Sequence, residues 1–222
     1  MVDKVIEKTA PAVQLRGAPQ TKGERTRSRI LDVAYDAIVH KGFAATSIDE
    51  LVEAAGITKS GFFYHFKDKN DLARQLLERF LAEDCEILDT LERRARALAD
   101  DPLQSFLIFL NLYAEVMDEM PELHPGCLVA TITYQEQMFD AAVREMNAES
   151  VIALRLRFAN WLEQIAEKHE PRMPVDLTAL ADNVTVIVEG AIILSKALND
   201  RALMGRHMRL FRDHVKFVFG AA

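Results

Sequence analysis

Residues 47–69, SIDELVEAAGITKSGFFYHFKDK, decide how this chain is read. Ser47 can cap a helix, and Glu50 follows three residues later, the spacing at which a side chain can reach back to the cap's own backbone N–H. Thr46 offers a second capping hydroxyl. Ile48, Leu51, Val52 and Ala55 recur at helical spacing on one face, until Gly56 supplies the permissive backbone where the helix stops. After a turn of about four residues, Thr58 or Ser60 starts a second helix that runs to Phe66. Its first residues are small, polar and cationic (Thr58, Lys59, Ser60, Gly61), so its backbone can approach base edges, while the following aromatics anchor it. Lys67 and Lys69 follow within reach of phosphates. On residue chemistry alone the stretch suits a DNA-binding helix-turn-helix and an ordinary αα-hairpin with an aromatic core equally well.

Working outward, residues 23–41 place Ile30, Val33, Ala34, Ala37 and Ile38 on one helical face, with Arg25, Arg27 and Arg29 in the first turns. Cations oppose the macrodipole at a helix start, which makes better sense if phosphates lie nearby. Gly42 ends this helix and Phe43 is expected in a small core. The segment GITKSGFFYHFKDKNDL, preceded by RILDVAYDAIVHKGF and the Thr46-Ser47 cap, resembles the DNA-binding signature of the TetR/AcrR family of transcriptional regulators. The likeness runs from about Thr21 to Leu77. Two positions depart from the family pattern: Phe63 stands where a phosphate-contacting Tyr is frequent, and Gly61 where Thr is frequent.

The net charge of −7 divides unevenly, +2 over residues 1–69 and −9 over the rest, which marks the N-terminal part as the nucleic-acid face. Residues 1–20, with Pro11, Gly17, Pro19 and no sustained period, read as a mobile tail, with Lys4, Lys8, Arg16 and Lys22 as available charges. No apolar run is expected to span a bilayer, the start lacks the apolar core of a signal peptide, and Cys85 and Cys127 read as reduced thiols, so a cytoplasmic location is expected.

After the motif, Asp68 caps a helix of about 30 residues, roughly 45 Å long, that fades at Ala99-Asp100-Asp101. Pro102 opens the next, with Phe106, Phe109, Leu110, Tyr113 and Met117 on one face. Beyond the MPELHPG loop, a run from Gly126 carries Thr131, Thr133, Tyr134 and Met138, and its Gly-Cys-Leu resembles one branch of the family. A further helix spans roughly 148–168, and the last two run about 176–198 and 202–219. Their apolar surface is broader than one buried stripe, which fits either the chain's own core or a partner helix pair.

No convergent catalytic set is present: no phosphate-binding glycine loop, no Gly-x-Ser-x-Gly elbow and no Glu-x-x-His pair. His207 and His214 are two helical turns apart, too far for one metal. No enzyme, cofactor or metal site is therefore expected. Phe106, Phe109, Tyr113, Met117, Cys127, Thr131, Tyr134, Met138, Phe158 and Trp161 have the mix of a ligand cavity, although core packing explains each of them singly.

The expected fold is all-α: a three-helix helix-turn-helix domain over 21–67 and a helical ligand-binding and dimerisation domain over 68–222. The resemblance implies a homodimeric, ligand-responsive regulator, a repressor on a palindromic double-stranded DNA operator, released by a small hydrophobic effector. Thr58, Lys59, Ser60 and Gly61 are then assigned to bases, and Arg27, Ser47, Tyr64, His65 and Lys69 to phosphates. Val184, Val188, Ile192, Met204, Met208, Phe211 and Val215 are assigned to a four-helix dimer interface. The alternative is an architectural or division-control DNA-binding protein that senses no small molecule.

Overall fold

The structure, a computed structural model, describes residues 21–220; the expected tail over 1–20 lies outside them. Among the described residues there are nine α-helices and no strand. In chain order they are α1 (Lys22–Lys41), α2 (Ile48–Ala54), α3 (Lys59–His65), α4 (Lys69–Leu98), α5 (Pro102–Asp118), α6 (Leu128–Tyr134), α7 (Ala141–Ala166), α8 (Leu177–Leu198) and α9 (Ala202–Val218). The chain forms two compact units: one takes the described residues up to Ala82 together with Pro125–Ala148, the other Glu83–His124 together with the residues from Glu149 on. A boundary at 67/68 falls inside the first unit.

Local chemistry explains the helix starts. Thr21 and Glu24 form a reciprocal capping box on α1, with Glu24 N–H donating to Thr21 Oγ1 at 3.2 Å and Thr21 N–H to Glu24 Oε2 at 2.7 Å. At α2 only half of such a box forms. Ser47 Oγ accepts from Glu50 N–H at 3.2 Å, but the Glu50 carboxylate turns to the Lys41 ammonium instead. Asp101 caps α5 through Gln104 N–H at 2.9 Å, with Pro102 in the first helical turn. Asp140 accepts from Val143 N–H at 3.0 Å, so α7 begins seven residues before the expected start at 148.

In the first unit, Ile30, Leu31, Ala34 and Ile38 of α1 meet Leu51 of α2, Phe62 and Phe66 of α3, and Leu72, Leu76 and Leu77 of α4. Leu128, Ile132, Phe139 and Val143, far along the chain, belong to the same core. In the second unit Leu88 and Leu91 of α4, Phe106 and Phe109 of α5, Phe158, Trp161 and Leu162 of α7, Val184 of α8 and Phe211 and Val215 of α9 share a second core. Trp161 Nε1–H donates to Pro102 O at 3.2 Å, which satisfies its one polar atom inside this core.

α8 corrects one expectation: its 22 residues are long and apolar enough, by length and composition alone, to cross a membrane. Its pattern has another physical reason. Leu180, Ala181, Val184, Ala191, Ile192 and Ser195 face the unit's own core, Asp182 pairs with Arg155 at 2.7 Å, and a second apolar stripe stays exposed.

The loop after α5 carries a titratable group in an unusual state. His124 is half-buried, and burial first, then the Lys196 ammonium, holds its imidazole down to about 4 from an ordinary 6.5. The folded chain therefore keeps His124 neutral where the unfolded chain protonates it, and its contribution to stability is present above 6.5 and lost as pH falls towards 4. Discounted for partial exposure, the loss is about 1–2 kcal/mol. Urea unfolding at pH 7.5 and 4.5 should show a smaller pH-dependent loss for His124→Gln than for wild type. Equal losses contradict the assignment.

Candidate nucleic-acid interface

α3 is held from below and presented above. Phe62 and Phe66 are fully buried with ring centroids 5.5 Å apart, and Phe63 stands edge-on to Phe62 at 5.4 Å while remaining half exposed. Tyr64 projects outward at 83 % exposure. The second helix starts at Thr58, whose Oγ1 accepts from Gly61 N–H at 3.1 Å and lies 3.0 Å from Ser60 Oγ. A Cβ on Gly61 would sit 3.3 Å from that same Oγ1, so Gly61 leaves the capping hydroxyl its place.

Thr58, Lys59 and Ser60 are exposed along the start of α3, and Gly61 is half-buried among them. Lys59 Nζ rests 2.7 Å from Asp49 Oδ1 on α2, an exposed pair that solvent screens and DNA can displace. Ser47 is exposed at the cap of α2, and His65 packs edge-on to Tyr64 with ring centroids 5.0 Å apart.

Two of the cations assigned to phosphates point elsewhere. The Arg27 guanidinium donates to Gln75 Oε1, from Nε at 3.0 Å, and lies 5.9 Å from the Phe66 ring centroid. Lys69 donates to the Phe43 carbonyl and sits 4.0 Å over the Phe43 ring; desolvation first, then Lys41, lowers its ammonium pKa. Both brace the first unit's interior. The exposed charges are instead Lys22, Arg25, Arg29 and Lys67, with no ion pair among the described residues. The signal that separates these cations is helical phase: Arg27 precedes Ile30 and Leu31 by three and four residues and shares their inward stripe, while Arg25 and Arg29 do not.

The proposed ligand set divides between the units. Phe106, Phe109, Tyr113, Met117, Phe158 and Trp161 are in the second, and Cys127, Thr131, Tyr134 and Met138 in the first. In the second unit Phe106, Phe109, Phe158 and Trp161 fill one another's space, with Trp161 centroids 5.0 and 5.3 Å from Phe106 and Phe109. In the first, Tyr134 and Met138 are exposed, and Met138 lies in a separate 3₁₀ turn (Glu136–Met138) after α6. The second unit also carries an open groove of about 440 Å³, lined by Leu107, Ile108, Asn111, Leu112, Arg212, Asp213 and Lys216, none of them in the proposed set.

The proposed dimer residues are mostly inside the chain already. Val184, Ile192, Met204, Met208, Phe211 and Val215 are buried and Val188 is half-buried, so they complete the core of a single copy. The large exposed apolar residues of α8 and α9 are Val186, Ile193, Leu194, Leu198, Leu210 and Phe217.

The family model described as "Bacterial regulatory proteins, tetR family" matches residues 30–76, the stretch that contains α2 and α3 with most of α1. The HTH-type transcriptional regulator AcrR of Shigella flexneri is 43 % identical over 63 residues, 28 % of this chain and only 29 % of that regulator's length. The transcriptional regulator AcuR of Cereibacter sphaeroides is 24 % identical over 184 residues, covering 82 % of this chain and 80 % of its own. Among solved structures, a TetR-family transcriptional regulator from Agrobacterium tumefaciens superposes with a TM-score of 0.72 at 21 % identity, over 87 % of this chain and 98 % of that one, which shows the fold. With a helix-turn-helix that presents a polar helix start above buried aromatics, residues 30–76 match the DNA-binding part of the tetR family of bacterial regulatory proteins, and the all-helical chain shares the fold of TetR-family transcriptional regulators.

Proposed function

We propose that the chain is a homodimeric repressor, acting in the cytoplasm on a palindromic operator and released by a small hydrophobic effector. The observation that carries this reading is the outward face of α3. Thr58, Lys59 and Ser60 lead it, Gly61 keeps the backbone accessible, Tyr64 stands clear of the surface, and exposed Arg25, Arg29 and Lys67 supply charge for phosphates. Two copies of α3 related by a twofold axis read successive major grooves about 34 Å apart. The DNA-binding domain then consists of residues 21–67 extended by the rest of the first unit.

Dimerisation is supported by a second apolar stripe. Val186, Gly190 and Ile193 follow one another at four and three residues along α8, and Leu210, His214 and Phe217 do so along α9, with open space around Gly190. Exposed apolar residues at this spacing, on helices already packed on their other side, are what a partner helix pair would cover. An effector acts by binding one of two geometries of the dimer more tightly, a coupling of typically about 1–3 kcal/mol. The self-filled aromatic cluster of the second unit favours the alternative reading, an architectural binder without effector; hydrophobic compounds that never release operator DNA would select it.

Lys59→Ala tests the assignment of α3. It removes an exposed side chain, so the dimer stays folded, and operator affinity falls by about tenfold or more, as expected for one base contact worth about 1–3 kcal/mol. Fluorescence anisotropy on an operator duplex reads the change. An unaltered affinity would sink the assignment.

A further inference from the structure

We propose that Gln135 is a positioning residue for operator recognition: from the end of α6 it clamps the turn between α1 and α2, and so fixes where the helix-turn-helix presents its reading helix. The inference rests on the DNA-reading role of α3 proposed above.

Gln135 Oε1 accepts from Ala44 N–H at 3.2 Å, across ninety-one residues of sequence. The same side-chain amide lies against Gly42, where a Cβ would come within 2.5 Å of Nε2 and 3.3 Å of Cδ. Gly42 is thus required twice, by its φ of 87° and by the amide packed on it. This turn is the joint of the DNA-binding part. Gly42 N–H closes α1 on Ile38 O at 2.8 Å, Thr46 Oγ1 donates to Gly42 O at 2.9 Å, and the next residue, Ser47, caps α2.

The surroundings fix Gln135 in turn. Phe139, just beyond the 3₁₀ turn, packs against Phe43 with ring centroids 4.3 Å apart and ring planes tilted by 37°, and Asp140 N–H donates to Asn70 Oδ1 at 3.3 Å. Leu128, Ile132 and Val143 anchor the flanking helices in the same core as α1 to α3. Ala44 itself is exposed, so its N–H would turn to water if Gln135 were removed, at little cost in stability. What is lost is the fixed orientation of the turn. A recognition surface held by its supporting contacts tolerates misplacement of only about 0.5 Å.

The test uses full-length wild type, Gln135→Ala and Gln135→Glu. Each is titrated at one salt concentration with the duplex that wild type selects from a random library and with a random-sequence duplex. The readout is the ratio of the two affinities, in which any general effect of the added Glu charge cancels. Gln135→Ala should lower the ratio at least about fivefold while its melting temperature stays within about 2 °C of wild type. Gln135→Glu, whose carboxylate still accepts from Ala44 N–H, should keep the ratio within about twofold. An unchanged ratio in Gln135→Ala overturns the proposal, as does an equal loss in both variants or a loss that tracks a large fall in melting temperature. A wild type that enriches no sequence overturns the DNA-reading role and this proposal together, whereas the other failures leave that role standing.

Discussion

Ile193→Glu combined with Leu210→Glu should give a folded protein that sediments as a monomer at micromolar concentration and binds the operator at least about 100-fold more weakly than wild type. Both side chains are exposed in the single copy, at 58 % and 64 %, so the two carboxylates cost the protomer little. In a dimer built on these stripes, four carboxylates would be buried in an apolar interface without partners, which is prohibitive. A monomer engages one half-site, and the effective concentration that tethers the second reading helix disappears. Val215→Glu is the informative contrast, because Val215 is completely buried and its replacement should unfold the copy itself. A double variant that still sediments as a dimer would place the interface elsewhere.

Phe62→Ala should lower the stability of the fold by about 3–5 kcal/mol, measured as the shift in the urea midpoint followed by far-UV circular dichroism. The Phe62 ring is wholly buried between Phe63, Phe66 and the α1, α2 and α4 side chains, so its removal leaves a cavity that the neighbouring helices cannot close without shifting α3. Operator binding should fall with it. Phe62→Leu keeps most of the volume and should cost about 1.5 kcal/mol or less. If Phe62→Ala lost under 1 kcal/mol, the view of α3 as a helix pinned by its aromatics would be wrong.

Much of this architecture was legible in the residues. Capping side chains and apolar period located α1 to α5, α8 and α9 to within a residue or two, because α1 to α5 and α8 begin at Ser, Thr, Asp or Pro, α9 follows the Asn199-Asp200 break, and each buries one regular stripe. The start of α7 was missed because Ala141–Asn147 buries only Val143 and Asn147, too little to register as a period.

The candidate interfaces were legible less evenly. At the start of α3, Thr58, Lys59 and Ser60 are exposed with Gly61 half-buried among them, a placement that local spacing alone determines. Arg27 and Lys69 are different: what holds them is Gln75 and the Phe43 carbonyl, partners 48 and 26 residues away. On α8 the sequence offers two apolar stripes, Val184 with Ile192 and Val186 with Ile193, and periodicity says nothing about which one the chain covers with its own core. Only the packed structure tells them apart.

In the proposed function, two copies of α3 read a two-fold symmetric DNA site. Repeated selection of random duplexes by the purified full-length protein, followed by sequencing, tests it most directly. An inverted repeat should emerge, with half-sites centred about one helical turn or a multiple of it apart, and Lys59→Ala should fail to enrich it. Enrichment of a single unrepeated site, or of no sequence at all, would contradict the claim.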